Sequence, residues 1–444
     1  MSPWSLMSSR GYKKYLLTLL TTILVFNYVD RLGLGVVLQS IKVDLQLSDT
    51  QLGFLSGIAF AFFYAIMGVP IARWADSGNR VLIISLTALL WSISVILCGL
   101  TASFVQLLLV RVAVAVGEAG CIPPAFSLLS DFFSRAERPR AAAIYGMGGG
   151  ISSLFGYFAA GWLNARYGWR LTFVALGAPG LLLAALAWFT LREPRISFSG
   201  RECNAGSYLA SRDTPALKEV WTKLWSIRTF RHLLASLSAL FFFIYGILQW
   251  QPSFLIRSYH FTSEQVGVCL SLIYGATGIF GPYVGGALAF RYAATNERRQ
   301  LKMCAISVSC SAALWALAYA CHSRYQTLAL IACANFGLGI VNGPMFATIQ
   351  TLVPEHMRAT SFAIVYLSAN LVGMGLGPLA AGILSDSLEG PLGTESLRYA
   401  LLLLSPGFLW VAWHAWQASR TVLDDLAAAG KTVAIPLKAS YACE

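Results

Sequence analysis

Four ionisable residues sit where charge is costly. Asp30 and Arg31 belong to the stretch Asn27-Tyr28-Val29-Asp30-Arg31-Leu32-Gly33-Leu34-Gly35, which follows an uncharged run from Tyr15 to Phe26. Arg111 and Glu118 interrupt a second such run. A carboxyl group held in a membrane can take up and release a proton. A guanidinium beside it can neutralise the carboxylate or hold an anion. Whether Asp30 and Arg31 are inside is a question of length. Tyr15 to Val29 makes about 22 Å of helix, short of the roughly 30 Å hydrocarbon core. The apolar pattern resumes at Leu32 and runs to Leu38, so closing the span places both charges within it.

Each central charge costs roughly 2.5–3.5 kcal/mol, and four unpaired charges would cost on the order of 10 kcal/mol. The set sums to zero, so mutual pairing is expected. Arg111 and Glu118, seven apart, share one helix face two turns from each other. Asp30 and Arg31 diverge by about 100° around their helix and cannot face one partner. Crude depth puts Asp30 and Arg31 nearer to Arg111 than to Glu118. A network across the first and fourth spans follows, with Asp30 and Glu118 as proton carriers and Arg31 and Arg111 as charge partners. Asn27 and Tyr28 lie beside them. The alternative is a static ion-pair cluster that holds two helices together.

The elements that would position these residues dominate the chain. Of 444 residues, 57% are hydrophobic and 12% charged, about half the charge of an ordinary soluble domain. Twelve segments can cross a membrane, near 15–41, 49–72, 81–103, 104–130, 141–165, 170–191, 232–256, 263–289, 302–321, 326–352, 359–385 and 397–417. They are called spans 1–12 below. The fold class is an all-α membrane protein with twelve transmembrane helices in two six-helix bundles. Residues 1–191 form the first bundle, 192–231 a central cytoplasmic loop, 232–420 the second bundle and 421–444 a cytoplasmic tail. No cleavable signal peptide is expected, because the first apolar stretch is too long and lacks a small-residue cleavage site.

The net charge of +12 is not a nucleic-acid patch. With the N-terminus inside, 24 basic residues fall on the cytoplasmic side, six outside, and two (Arg31 and Arg111) within spans. That bias places both termini in the cytoplasm. In the central loop, Leu217, Val220, Trp221 and Leu224 share a face, which suggests an amphipathic helix on the inner membrane surface.

The two halves repeat. Ser48-Asp-Thr-Gln51 and Thr262-Ser-Glu-Gln265 both read as capping boxes, 214 residues apart. Arg140-Ala141 recurs as Arg358-Ala359, and Ala159-Ala160-Gly161 as Ala380-Ala381-Gly382. A 6+6 pseudo-repeat is the plan of carriers that rock two bundles about a central site.

These features resemble the major facilitator superfamily. Ala72-Arg-Trp-Ala-Asp76-Ser-Gly78-Asn-Arg80 is similar to the superfamily's signature between spans 2 and 3, matching at Asp76, Gly78 and Arg80. The resemblance implies a cytoplasmic gate that latches the two halves, with Asp131 at the end of span 4 as its acid partner. The equivalent loop of the second half carries Phe290 in place of the acid. Within the superfamily, Asn27-Tyr28-Val29-Asp30-Arg31 with Gly117-Glu118-Ala119 resembles the spinster-like group, which implies lysophospholipid or sphingolipid cargo.

The second half carries no embedded charge. Tyr245, Gln249, Trp250, Asn342 and Asn370 are its candidate cavity residues, facing an amphipathic substrate whose head lies near Arg31, Arg111 and Glu118. The reading is a secondary active transporter working by alternating access, coupled to protons and otherwise without cofactors. Its partners are a lipid-like substrate and membrane lipids, and it is expected as a monomer in a bacterial inner membrane. A carrier of small organic anions using Arg31 and Arg111, or a nontransporting receptor, are the alternatives. A membrane enzyme would need an embedded nucleophile–base set or metal ligands. No such catalytic or metal set is seen: the nine cysteines form no C-x-x-C and are expected as packing residues.

Overall fold

The computed structural model describes residues 9–194, 217–293, 296–354, 357–428 and 430. Every regular element among them is helical. In hydrocarbon a helix satisfies its backbone hydrogen bonds within one segment, which explains the uniformity. Ten stretches are long and apolar enough to cross a membrane. Two are too long for one crossing, the 53 residues Arg138–Thr190 and the 69 residues Thr360–Ala428. The first divides at Gly168, whose φ of 75° no helix contains. The second divides at the short turn Gly393–Glu395, where Gly393 has φ 55°. With both divided the count is twelve, consistent with the expected spans.

The pseudo-repeat is visible in the backbone. Span 1 ends at Gln46 in the left-handed conformation (φ 54°) and span 7 at His260 (φ 55°), again 214 residues apart. Each turn leads into a reciprocal cap. Ser48 and Gln51 satisfy each other's backbone N–H, and Thr262 and Gln265 do the same. Spans 4 and 10 are also built alike. The 16-residue helices Phe104–Ala119 and Arg324–Gly339 both break and restart as Ile122–Phe132 and Asn342–Leu352. Prolines at 123, 124 and 344 explain the restarts, since they remove a backbone donor.

Lipid tails give helices no hydrophobic reason to associate, so close packing decides where they meet. Glycines supply it: a Cβ on Gly156 would lie 3.3 Å from Val29 Cα, and one on Gly161 2.7 Å from Gly267 Cα. The second contact joins spans 5 and 8, and hence the two halves.

The loop helix Leu217–Ser226 packs against span 7 and the start of span 11. Val220 and Leu224, expected to face the membrane surface, are buried within the protein, and Trp221 is 45% exposed. It stacks on Trp225 at 5.3 Å instead of joining the buried face. Residues 195–216 of the central loop, and 429 and 431–444 of the tail, lie outside the described residues.

Candidate functional site

The four embedded charges pair crosswise between spans 1 and 4. Arg111 Nη1 donates to Asp30 Oδ2 at 2.8 Å, both side chains being 2% exposed. Arg31 Nε donates to Glu118 Oε2 in a short contact, with the Glu118 side chain fully buried. The 100° divergence of Asp30 and Arg31 is resolved by giving each its own partner. Helical side chains lean toward their own N-terminus, which carries Arg31 down span 1 to the level of Glu118. The depth estimate that favoured Arg111 for both residues therefore holds for Asp30 alone.

Each of the four groups keeps one buried polar atom without a partner: Asp30 Oδ1, Arg31 Nη2, Arg111 Nε and Glu118 Oε1. A buried network left partly unsatisfied is costly, and such atoms are where a proton or a ligand gains most. Aromatic rings hold Arg31 in place. Its guanidinium carbon lies 5.2 Å from the Tyr28 ring, 4.8 Å from Phe60 and 4.7 Å from Tyr64. Its Nη1 approaches Met374 Sδ at 3.9 Å. Met374 projects from a π-helical stretch, Ala369–Leu376, in span 11; such widened turns re-aim side chains and recur at functional sites.

A narrow cavity of about 40 Å³ lies here, lined by Arg31, Arg111, Gly35, Ser56, Phe60 and Tyr157 on one side. Tyr245, Leu248, Gln249, Met374 and Pro378 line the other. Its charged groups all come from the first half. Gln249 Nε2 is buried and unpartnered. Tyr157 stacks on Tyr274 of span 8 at 5.3 Å.

Of the cavity residues expected from the second half, Tyr245 and Gln249 line it. The other three are turned elsewhere. Trp250 is fully buried and donates to Pro378 O at 2.9 Å. Asn370 Nδ2 bonds Tyr366 O at 2.7 Å. Asn342 opens the second segment of span 10, its Oδ1 buried and unpartnered. Asn27 has a buried, unpartnered Oδ1 beside a small recess formed with Trp91 and Gly117. The sequence reading passed over Phe60 and Tyr64, although their i, i+4 spacing on span 2 signals one shared face.

A second cluster surrounds Arg80, which is 0% exposed. Its Nη1 donates to Asp131 Oδ2 at 2.6 Å and to Ser127 Oγ at 3.1 Å. Its backbone N–H donates to Glu193 Oε2 at 2.7 Å, and its Nε to the same carboxylate at 3.1 Å. Asp76 is exposed at the end of span 2, and Gly78 turns the chain, its N–H bonding Trp74 O at 2.7 Å. Ser127, Asp131 and Glu193 all lie within or directly after the first six spans. Glu193 was assigned only to the polar loop, because nothing local marks a loop carboxylate as buried.

Residues 20–378 match the family described as Major Facilitator Superfamily. The chain belongs to that superfamily. An "MFS-type efflux pump" of Mycolicibacterium smegmatis is 31% identical, with 90% of this chain and 91% of the relative covered. A "Probable L-galactonate transporter" of Escherichia coli is 26% identical over 85% of this chain and 83% of its own. Among solved structures, a bacterial homolog of the human lysosomal transporter spinster, inward-facing and unoccupied, aligns with TM-score 0.83 and 29% identity. That alignment covers 94% of this chain and 99% of the other. The chain is thus an integral membrane transporter with a spinster-like fold and a small-molecule substrate.

Proposed function

We propose a proton-coupled secondary active transporter for an amphipathic, lipid-like substrate of the lysophospholipid or sphingolipid type. One observation carries this reading: a cavity whose charges all sit on one wall, with each charged group half-satisfied, and whose other wall is uncharged, the amide of Gln249 standing among Tyr245, Leu248, Met374 and Pro378. Protonation of Glu118 removes the charge that holds Arg31. The freed guanidinium then meets an anionic head group on the cavity side, while Tyr245, Leu248 and Met374 cover the apolar part. Asp30 and Arg111 form the second exchangeable pair. Proton movement and substrate binding are linked because carboxylate and head group compete for the same two arginines, and protonation takes the carboxylate out of that competition. Alternating access follows from the two-bundle plan. The surplus of basic residues at the terminal end supports cytoplasmic termini in a bacterial inner membrane, and nothing in the site requires a second copy, so a monomer suffices. The chemistry is transport rather than catalysis.

A second reading is favoured by the arginines themselves and by the sugar-acid relative in E. coli: a carrier of small organic anions. The decisive experiment is uptake into proteoliposomes of lysophospholipids, sphingoid phosphates and sugar acids, with and without a pH gradient. Glu118→Gln and Asp30→Asn are expected to abolish the response to the gradient. An unchanged response in both variants removes the proton-coupling proposal, and sugar-acid uptake without lipid uptake selects the second reading.

A further inference from the structure

A contact from the second half reaches the embedded charges across the cavity. Glu118, Tyr28, Phe60 and Tyr64, which hold Arg31, all belong to the first half. Met374 comes from span 11, and its Sδ accepts from Arg31 Nη1 at 3.9 Å. The guanidinium is thus shared out unequally. Glu118 takes Nε, Nη2 is buried without a partner, and Nη1 meets the sulfur. The two Nη groups form the outer edge of the guanidinium, an edge that grips a phosphate or carboxylate through two parallel bonds. A thioether is a weak acceptor. It occupies this edge without satisfying it.

The backbone explains why a methionine arrives here. Pro378 has no N–H to give to Met374 O four residues earlier, and its ring crowds that carbonyl. The helix widens instead into the π-turn Ala369–Leu376, which re-aims the side chains it carries. The widened backbone is wedged on both sides. A Cβ on Gly373 would lie 2.4 Å from Phe241 Cβ of span 7, and one on Gly57 of span 2 would lie 2.4 Å from Gly375 O. Neither neighbour leaves room for the main chain to shift. The Met374 side chain is the part that can move, unbranched and with three rotatable bonds.

We propose that Met374 is the specificity-determining residue of the cavity: its thioether stands in for the anionic head group on Arg31 and is displaced by it. The displaced side chain then lies along the apolar part of the substrate, beside Tyr245 and Leu248. One residue thus answers to both ends of an amphipathic molecule. The proposal rests on the reading of the cavity as an anion-binding transport site. A stronger acceptor at this position competes better with the head group, and an apolar isostere does not compete at all. Affinity for the anion therefore runs opposite to the acceptor strength of residue 374.

Oleoyl lysophosphatidic acid, galactonate and uncharged monooleoylglycerol are the probes, with dissociation constants measured on the full-length protein in lipid nanodiscs. Met374→Leu is expected to bind lysophosphatidic acid about threefold more tightly than the wild type, and Met374→Gln about tenfold more weakly. Monooleoylglycerol, with no charge to offer Arg31, should bind all three proteins alike. A merely structural role would move both lipids together. Should Met374→Gln fail to fold, the methyl resonance of Met374, assigned through Met374→Leu, reads the displacement in the wild type. It is expected to shift with lysophosphatidic acid and to stay in place with monooleoylglycerol. Equal lysophosphatidic acid binding in all three proteins, the same order with monooleoylglycerol, or a methyl resonance that does not respond overturns the proposal. If galactonate binds and shows the order while the lipids do not bind, Met374 keeps its role and the lipid reading fails. A wild type that binds neither anion overturns the anion site, and the role of Met374 with it.

Discussion

Gln46 and His260 make the same left-handed turn 214 residues apart, yet the helices they end differ in chemistry at mid-span. At that offset Asp30 and Arg31 correspond to Ile244 and Tyr245. Spans 4 and 10 align at an offset of 220 through their matching 16-residue helices. There Arg111 and Glu118 correspond to Ile331 and Leu338, both buried. One backbone plan therefore carries four ionisable groups in the first half and four uncharged ones in the second. Backbone geometry depends on caps, glycines and prolines, which both copies keep. The side chains at the centre are free to diverge, so one half can hold the charges while the other shapes the cavity.

The largest expected effect comes from making the first half resemble the second. Arg111→Ile alone strands Asp30 as a buried charge and should cost about 3–5 kcal/mol, read as loss of thermal stability in detergent micelles. Adding Asp30→Ile, the state of the second half, should restore most of that stability, because a buried pair exchanged for well-packed apolar residues is often neutral. The double variant should fold and lose its response to a pH gradient. A double variant no more stable than the single would show that the pair holds the helices together.

The Arg80 cluster, whose named partners Ser127, Asp131 and Glu193 come from the first half, offers a smaller test. Glu193→Gln keeps the shape of the cluster but removes a charge that faces a fully buried guanidinium. A loss of about 1.5–3 kcal/mol is expected, read as thermal stability in detergent micelles. A fall in transport larger than this loss of stability explains would mean that Arg80 acts between the halves, as the superfamily resemblance suggested.

The smallest effect is expected at Glu137, outside the spans. The Ser134 backbone N–H and hydroxyl, with Lys13, hold its carboxyl down from 4.5 to about 2. A lowered value in the fold contributes stability that is fully present above about 4.5 and lost as pH falls towards 2. Glu137→Gln should therefore leave the pH profile of transport unchanged between pH 5 and 8. A changed profile would show that Glu137 and its partner Lys13 take part in the pH response.

Much of the fold was legible because its signals are local. A twenty-residue apolar run, a capping box or a glycine at a reversal acts over one or two turns of chain. Asp30 could be placed inside span 1 by length alone, and the need for neutral pairing followed from the cost of charge in hydrocarbon. Which carboxylate takes which arginine was not legible, since one residue is 100° of helix and helix tilt moves depth by a turn. The same uncertainty hid the direction of Trp250, whose indole seeks Pro378 rather than the cavity beside it. Asp49 read only as part of a cap, because its partners Arg257 and Ser385 stand 208 and 336 residues away.

By itself, the sequence determined the membrane class, the places of the spans, the repeat and the short inventory of embedded charge. These follow from local periodicity and from the free energy of transferring each residue into lipid. Tertiary structure alone decided the crossed pairing of Asp30 with Arg111 and Arg31 with Glu118, the ring of aromatics around Arg31, and the joining of the halves at Asp49. Those contacts depend on the rotation and tilt of packed helices, which are set by many close approaches at once and by no single stretch of chain.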